Sequence, residues 1–88
     1  SILATYPVTF ERSARKDLER LREPMGTRVF RRIERLGSDP RPTGCRKLEG
    51  AEDLWRIRIG DYRIIYSVDD SGHVVDISAI RHRSDAYR

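Results

Sequence analysis

Three arginines crowd into the stretch LWRIRIGDYRIIY, residues 54–66, and they are the first candidates for chemistry. The Gly-Asp pair at 60–61 suits a two-residue hairpin loop between two strands of alternating apolar residues. That loop predicts Arg58 directly opposite Arg63, with Arg56 on the same face, because alternate residues share one side of a strand. Like charges directly opposite each other destabilise a sheet. A phosphate held by several planar guanidinium groups would account for such a face.

The other face of the predicted hairpin is apolar and is expected to face the core. It carries Trp55, Ile57, Ile59, Tyr62, Ile64 and Tyr66. The DDSG turn at 69–72 leads into a last strand, VVDISAI, on which Val75, Ile77 and Ala79 most simply share the core face. The arginines are then left open to solvent or to a ligand.

Two helices precede the hairpin and supply the layer that would cover its apolar face. A short strand, TYPVTF at 5–10, comes first. The first helix has an apolar stripe of Phe10, Ala14, Leu18 and Leu21. The second has Pro24 in its first turn, Gly37 at its end, and a stripe of Met25, Val29, Ile33 and Leu36. This order predicts a compact α+β fold, βααβββ, with both helices on one face of a mainly antiparallel sheet.

Composition limits the class of protein. The chain has 88 residues, one cysteine and a net charge of +4, so residues 1–88 are expected to form a single domain. The charge favours a polyanionic or acidic partner, and the lone cysteine suits a reducing compartment. Because no apolar run is long enough for a membrane span and no signal peptide pattern is present, we expect a cytoplasmic protein without a membrane partner.

Proton transfer needs groups other than arginine, which is a poor base at neutral pH. The candidates are Tyr62, Tyr66, Tyr87 and His82, together with Glu49 as the nearest carboxylate. The two histidines and the cysteine lack the spacing of a metal site, and no cofactor is expected. In RNA the 2′-OH next to the phosphate can be the nucleophile, so a metal ion is not obligatory.

Two longer runs carry a family resemblance. KLEGAEDLWRIRIGDYRIIYSVDD and VVDISAIRHRSDAY, with the earlier ARKDLERL helix, resemble the RelE toxin family of bacterial and archaeal toxin–antitoxin systems. The resemblance implies the same βααβββ fold and a metal-independent endoribonuclease that cuts mRNA in the A site of the 70S ribosome. It also implies neutralisation by a RelB-like antitoxin with an acidic wrapping segment, and contact with operator DNA only through that complex.

The resemblance also implies roles for individual residues. Arg63 matches the arginine that stabilises the phosphate, and Arg58 lies with it in the catalytic group. Arg83 is the better match for the arginine that assists the leaving group, with Arg81 as the alternative. Tyr87 matches a tyrosine that stacks on a base, orients the nucleophile or aids proton transfer. The expected RNA-binding residues are Arg56, Arg81, His82 and Lys47. Glu49 stands where some members have a basic residue and is a possible base.

Two other functions are compatible with the same sequence. A ParE-like toxin would bind DNA gyrase and cleave nothing, and it shares the YRIIY element, so fold alone does not separate the two. A non-toxic module would simply bind nucleic acid. The RHRSDAY ending and the WRIRI arginines favour the nuclease, because a toxin that only binds a protein does not require them.

Overall fold

Two helices and five strands make up the part of the protein that the computed structural model describes, residues 5–50 and 53–84. In chain order they are β1 (Val8–Phe10), α1 (Arg12–Glu19), α2 (Met25–Arg35), β2 (Arg46–Lys47), β3 (Leu54–Ile59), β4 (Tyr62–Asp69) and β5 (Val74–His82). The predicted α+β order is confirmed. The two-residue strand β2 is an addition, too short to produce an alternating pattern in the sequence. None of the helices in these residues is long and apolar enough to cross a bilayer.

The sheet has the order β1-β5-β4-β3-β2, in which β1 is parallel to β5 and the other neighbours are antiparallel. The hairpin register is confirmed, with Arg58 opposite Arg63 and Ile57 opposite Ile64. Gly60 has a φ of 59°, a left-handed conformation that glycine adopts without strain and that a two-residue hairpin loop requires. The loop chemistry therefore fixes which side chains share a face.

Both helices lie over the apolar face of this hairpin. The predicted stripe of α2 is buried at Val29, Ile33 and Leu36, and α1 contributes Ala14. They belong to one core cluster with the apolar side chains of β3, β4 and β5. At roughly 1.5–3 kcal/mol for each fully buried large aliphatic side chain, this cluster is the main source of stability.

Gly37, just after α2, lies where the backbone closely approaches the segment that contains Tyr6. The Tyr6 N–H donates a hydrogen bond to the Gly37 carbonyl over 2.7 Å. A Cβ atom at Gly37 would lie only 2.7 Å from the Tyr6 carbonyl oxygen. Glycine is therefore required here by space, and it lets the segment before β1 pack against the end of α2.

An extra residue in β5 changes the side on which the later residues of that strand lie. Ile65 of β4 pairs with Ala79, but the next residue, Tyr66, pairs with Ile77. Ser78 is the additional residue of this β-bulge, which reverses the alternation beyond it. Ala79 is buried, at 8% exposed, but it lies on the side of Ile65. The prediction that it shares the face of Val75 and Ile77 is therefore wrong, and Ile80, 6% exposed, occupies that face instead.

We expect Ile80→Ala to lower the free energy of unfolding by about 2–5 kcal/mol, the usual range for truncating a core isoleucine. The matched variant is Ile65→Ala, which removes the same atoms from the opposite, half-buried face of the sheet. Urea unfolding followed by circular dichroism measures both. Equal losses for the two variants would contradict the assignment of faces.

Candidate functional site

The bulge in β5 completes a row of three arginines across three neighbouring strands. Arg58 on β3 is opposite Arg63 on β4, and Arg63 is opposite Arg81 on β5. We call these residues the arginine row. Adjacent strands are about 4.8 Å apart, so the three Cα atoms span roughly 10 Å. Arg63 is half-buried in the middle, while Arg58 and Arg81 are exposed. Three guanidinium groups can thus reach one phosphate.

A groove of about 430 Å³ lies at the hairpin turn beside this row. We call it the turn groove, and its lining residues are Arg58, Gly60, Asp61, Tyr62, Arg63, Arg83 and Ser84. The Arg83 backbone N–H donates to the Asp61 carbonyl over 2.7 Å, which brings the segment after β5 against the turn. The Arg83 Nε lies 3.9 Å from an Asp61 carboxylate oxygen. Because both side chains are largely exposed, this pair contributes little.

A second groove of about 390 Å³ follows the outer edge of the sheet. We call it the edge groove, and its lining residues are Arg32, Thr43, Gly44, Arg46, Arg56, Ile57 and Arg58. Arg46 on β2 is directly opposite Arg56 on β3, so the pair repeats the like-charge arrangement. Arg58 lines both grooves and joins them into one basic surface.

Sequence reasoning missed Arg46 and Arg32. Arg46 would follow from recognising β2, since the strand register then places it opposite Arg56. Arg32 belongs to a helix, and the local pattern of α2 does not reveal that this side chain reaches the edge of the sheet. Both additions increase the positive charge beside the predicted cluster.

Lys47 and His82 are not brought to the arginine face. Lys47 is opposite Trp55, whose side chain packs against the core cluster, so it lies on the other side of the sheet from Arg56. His82 is opposite Tyr62, and their rings meet edge to face with centroids 5.2 Å apart. Both residues therefore lie on the other side of the sheet from Arg56 and Arg63, and their predicted role in RNA binding stays a prediction.

His82 instead contacts the turn that carries Arg83. Its Nδ1 accepts a hydrogen bond from the Ser84 backbone N–H over 3.2 Å and lies 2.9 Å from the Ser84 hydroxyl. Glu49 lies exposed in the segment between β2 and β3 and lines neither the turn groove nor the edge groove.

The tyrosines differ in their access to the site. Tyr66 is fully buried, and its hydroxyl donates to the Pro40 carbonyl over 2.7 Å. Burial, with Cys45 close by, raises the pKa of Tyr66 well above its ordinary value, so this phenol is not a proton-transfer group for an external substrate. Tyr62 is half-buried and lines the turn groove. Tyr87 lies outside the described residues.

The chemistry available at this surface is the binding and neutralisation of a phosphodiester. Guanidinium groups stabilise charge that develops on phosphoryl oxygens. Within residues 5–50 and 53–84, no group of three histidine, cysteine or acidic side chains is arranged to hold a metal ion.

Comparisons with known proteins place the chain among toxins. Residues 8–87 match the family model described as ParE toxin of type II toxin-antitoxin system, parDE. The chain is 34% identical to Toxin RelE of Mycobacterium tuberculosis over 84 residues, which cover 94% of this chain and 87% of that protein.

Solved toxin–antitoxin complexes contain chains with the same fold. One is the archaeal RelE–RelB complex from Pyrococcus horikoshii, at 34% identity and a TM-score of 0.80, covering 90% of this chain and 96% of that one. Another is the RelBE2 complex from Mycobacterium tuberculosis, at 28% identity and a TM-score of 0.79, covering 90% and 99%.

We expect Arg81→Gln to stabilise the ligand-free protein by about 0.2–1 kcal/mol at low salt, since it removes a like charge directly opposite Arg63. The gain should shrink as salt screens the repulsion. Thermal unfolding in increasing NaCl measures it, with Arg12→Gln on α1 as the control for a simple loss of charge. A destabilised Arg81→Gln protein would contradict the repulsion.

Proposed function

The chain belongs to the RelE/ParE family of toxins from type II toxin–antitoxin systems, and from that premise we propose that it is a ribosome-dependent endoribonuclease. It cuts mRNA in the ribosomal A site and so inhibits translation. The observation that carries this proposal is the arginine row, of which Arg58 and Arg63 line one groove together with Arg83.

The arginines divide the work of phosphodiester cleavage by position. Arg63, in the middle of the row, holds the non-bridging oxygens of the scissile phosphate, and Arg58 holds them from β3. The 2′-OH attacks in line, so the 2′-oxygen–phosphorus bond forms as the bond to the 5′-oxygen breaks. The products are a 2′,3′-cyclic phosphate and a 5′-hydroxyl. Arg83 stabilises the departing 5′-oxygen, with Arg81 as the alternative.

The protein does not supply every group that the proton transfers require. Glu49 lines neither groove and is therefore not assigned as the base. Tyr62 at the turn groove and Tyr87 remain the protein's candidates, and Tyr87 also stacks on a base, as aromatic side chains do with unpaired nucleotides. The codon and the ribosome supply the rest of the catalytic geometry, so cleavage of free RNA is weak. Because the substrate 2′-OH is the nucleophile, the reaction needs no metal ion or cofactor.

The partners follow from the same family. A RelB-like antitoxin with an acidic segment would neutralise the basic grooves, as suits relatives solved in RelE–RelB complexes. Operator DNA is contacted only through that complex. Residues 1–88 act as one toxin domain in the cytoplasm.

A second candidate is a ParE-like toxin that binds DNA gyrase without cleaving RNA. The match to a family model described as ParE favours it. The arginine row and the turn groove favour the nuclease, because binding a protein does not require guanidinium groups aligned on three strands.

We expect mRNA cuts confined to the A-site codon when the protein is added to ribosomes stalled at a known codon. Arg63→Ala should lower the single-turnover rate roughly 100- to 1,000-fold, as the loss of one group that stabilises transition-state charge does. Mapping of mRNA 3′ ends gives both results, and Arg12→Gln is the matched surface control. Tyr87→Phe, tested in parallel, reports whether the Tyr87 hydroxyl takes part.

A ribosome-free reaction with the same RNA runs beside this experiment. Full cleavage by folded Arg63→Ala would refute the proposed role of the arginine row. No cleavage by the folded wild-type protein, together with inhibition of gyrase supercoiling, would replace the nuclease by the gyrase-binding toxin.

A further inference from the structure

The exposed side of α2 carries a concentration of positive charge, most of which lies outside the turn groove and the edge groove. Arg28, Arg31, Arg32 and Arg35, with Pro24 and Thr27, line a third groove of about 390 Å³. We call it the α2 groove. Arg28 and Arg35 each lie three or four residues from both Arg31 and Arg32, so these pairs are neighbours on the helix surface and repel one another.

The acidic residues near α2 do not neutralise this charge. Glu23 is engaged at the start of the helix, where it accepts hydrogen bonds from the Thr27 backbone N–H over 2.8 Å and from its hydroxyl over 2.7 Å. Those bonds lower the pKa of the Glu23 carboxyl. Glu34 lies in α2 but does not line the groove. Of the ion pairs formed within residues 5–50 and 53–84, none involves an α2 arginine.

The α2 groove adjoins the cleavage site at two points. Arg32 lines both the α2 groove and the edge groove. Near the other end, an Nη atom of Arg28 lies 3.7 Å from the position of a Cβ built on Gly60, a residue of the turn groove. The basic surface therefore continues from the arginine face around the sheet edge onto α2.

We propose that the α2 groove binds the phosphate backbone of a structured RNA segment distinct from the strand that is cut. The inference rests on the proposed function, since it assigns a second RNA contact to the same toxin. Arg28 to Arg35 spans about 10 Å of helix, which matches about three nucleotides of a helical strand. The helix thus offers one arginine for each of about three phosphates.

A protein partner fits this groove less well than RNA. Interface cores are depleted in charge and rich in apolar contacts. Phe30, 42% exposed, is the large apolar side chain left exposed on the described surface, and it does not line the α2 groove. One ring is much smaller than the contiguous apolar patches that mark protein-binding surfaces.

The test compares two triple variants with the same loss of charge. Arg28→Gln, Arg31→Gln and Arg35→Gln together remove charge from the α2 groove, while Arg32 is kept because it also serves the edge groove. Arg12→Gln, Arg20→Gln and Arg22→Gln remove the same charge from exposed positions in and just after α1. Fluorescence anisotropy with a labelled RNA hairpin, titrated with NaCl, gives affinity and salt dependence for each. Circular dichroism checks that both are folded.

We expect the α2 variant to bind the hairpin at least tenfold more weakly than wild type at low salt. The slope of log K against log salt should fall by about 2–3, as for the loss of about three phosphate contacts. The α1 variant should change affinity less than threefold. On stalled ribosomes, the α2 variant should need more ribosomes for half-maximal cleavage while keeping the maximal rate.

Equal losses of hairpin affinity in the two variants would show that only the net charge matters, and this would overturn the proposal. Wild-type affinity of the α2 variant for the hairpin would do the same. Weaker binding of polyglutamate with unchanged RNA binding would assign the groove to an acidic protein instead. If wild-type protein cuts no mRNA while hairpin binding depends on α2, the nuclease proposal fails and the RNA groove stands.

Discussion

Side-chain alternation along β5 is the constraint on which the arginine face depends. The bulge at Ser78 puts Ile80 into the core and Arg81 opposite Arg63. Without that extra residue, Arg81 would share the side of Val75 and Ile77 and would have to be accommodated beneath the helices. A charged side chain there would cost several kcal/mol unless it were paired. The single unpaired residue, Ser78, therefore keeps Ile80 in the core and Arg81 on the side of the other arginines.

Burial on one side of the sheet allows repulsion on the other. Each like-charged pair opposite one another costs roughly 0.2–1 kcal/mol, whereas a fully buried isoleucine contributes about 1.5–3 kcal/mol. Ile57, Ile59 and Ile64 are at most 2% exposed, so their burial exceeds the cost of the arginines on the same strands. The fold can thus keep like-charged arginines opposite one another on the other side of the sheet.

The hairpin and both helices were predictable because their signals are local. A two-residue loop fixes the pairing of Arg58 with Arg63, and the spacing of Val29 and Ile33 identifies the buried side of α2. The bulge in β5 was not predictable, because ISAIRH contains neither glycine nor proline to mark it. That omission put Ala79 on the wrong face, since a shift of one residue moves every later side chain to the other face.

The residues of the candidate site also differ in whether the local sequence or the tertiary packing reveals them. The arginines of the hairpin were identified from the sequence, and the family resemblance added Arg81 and Arg83. Arg32 and Arg46 could not be found in this way, because their place beside Arg56 depends on how a helix and an edge strand pack. Lys47, which is predicted to bind RNA, lies on the opposite side of the sheet from these arginines, because the register of β2 pairs it with Trp55.

The position of β5 also fixes the order in which the protein can be completed during its own synthesis. β5 lies between β1 and β4 in the sheet, although it is the last of these strands in the chain. Val8 pairs with Val75, so β1 can join the sheet only after β5, which is translated much later. The arginine row, too, lacks its third member until β5 has been made and has entered the sheet. A nascent chain that ends before β5 therefore carries the hairpin arginines but no assembled site.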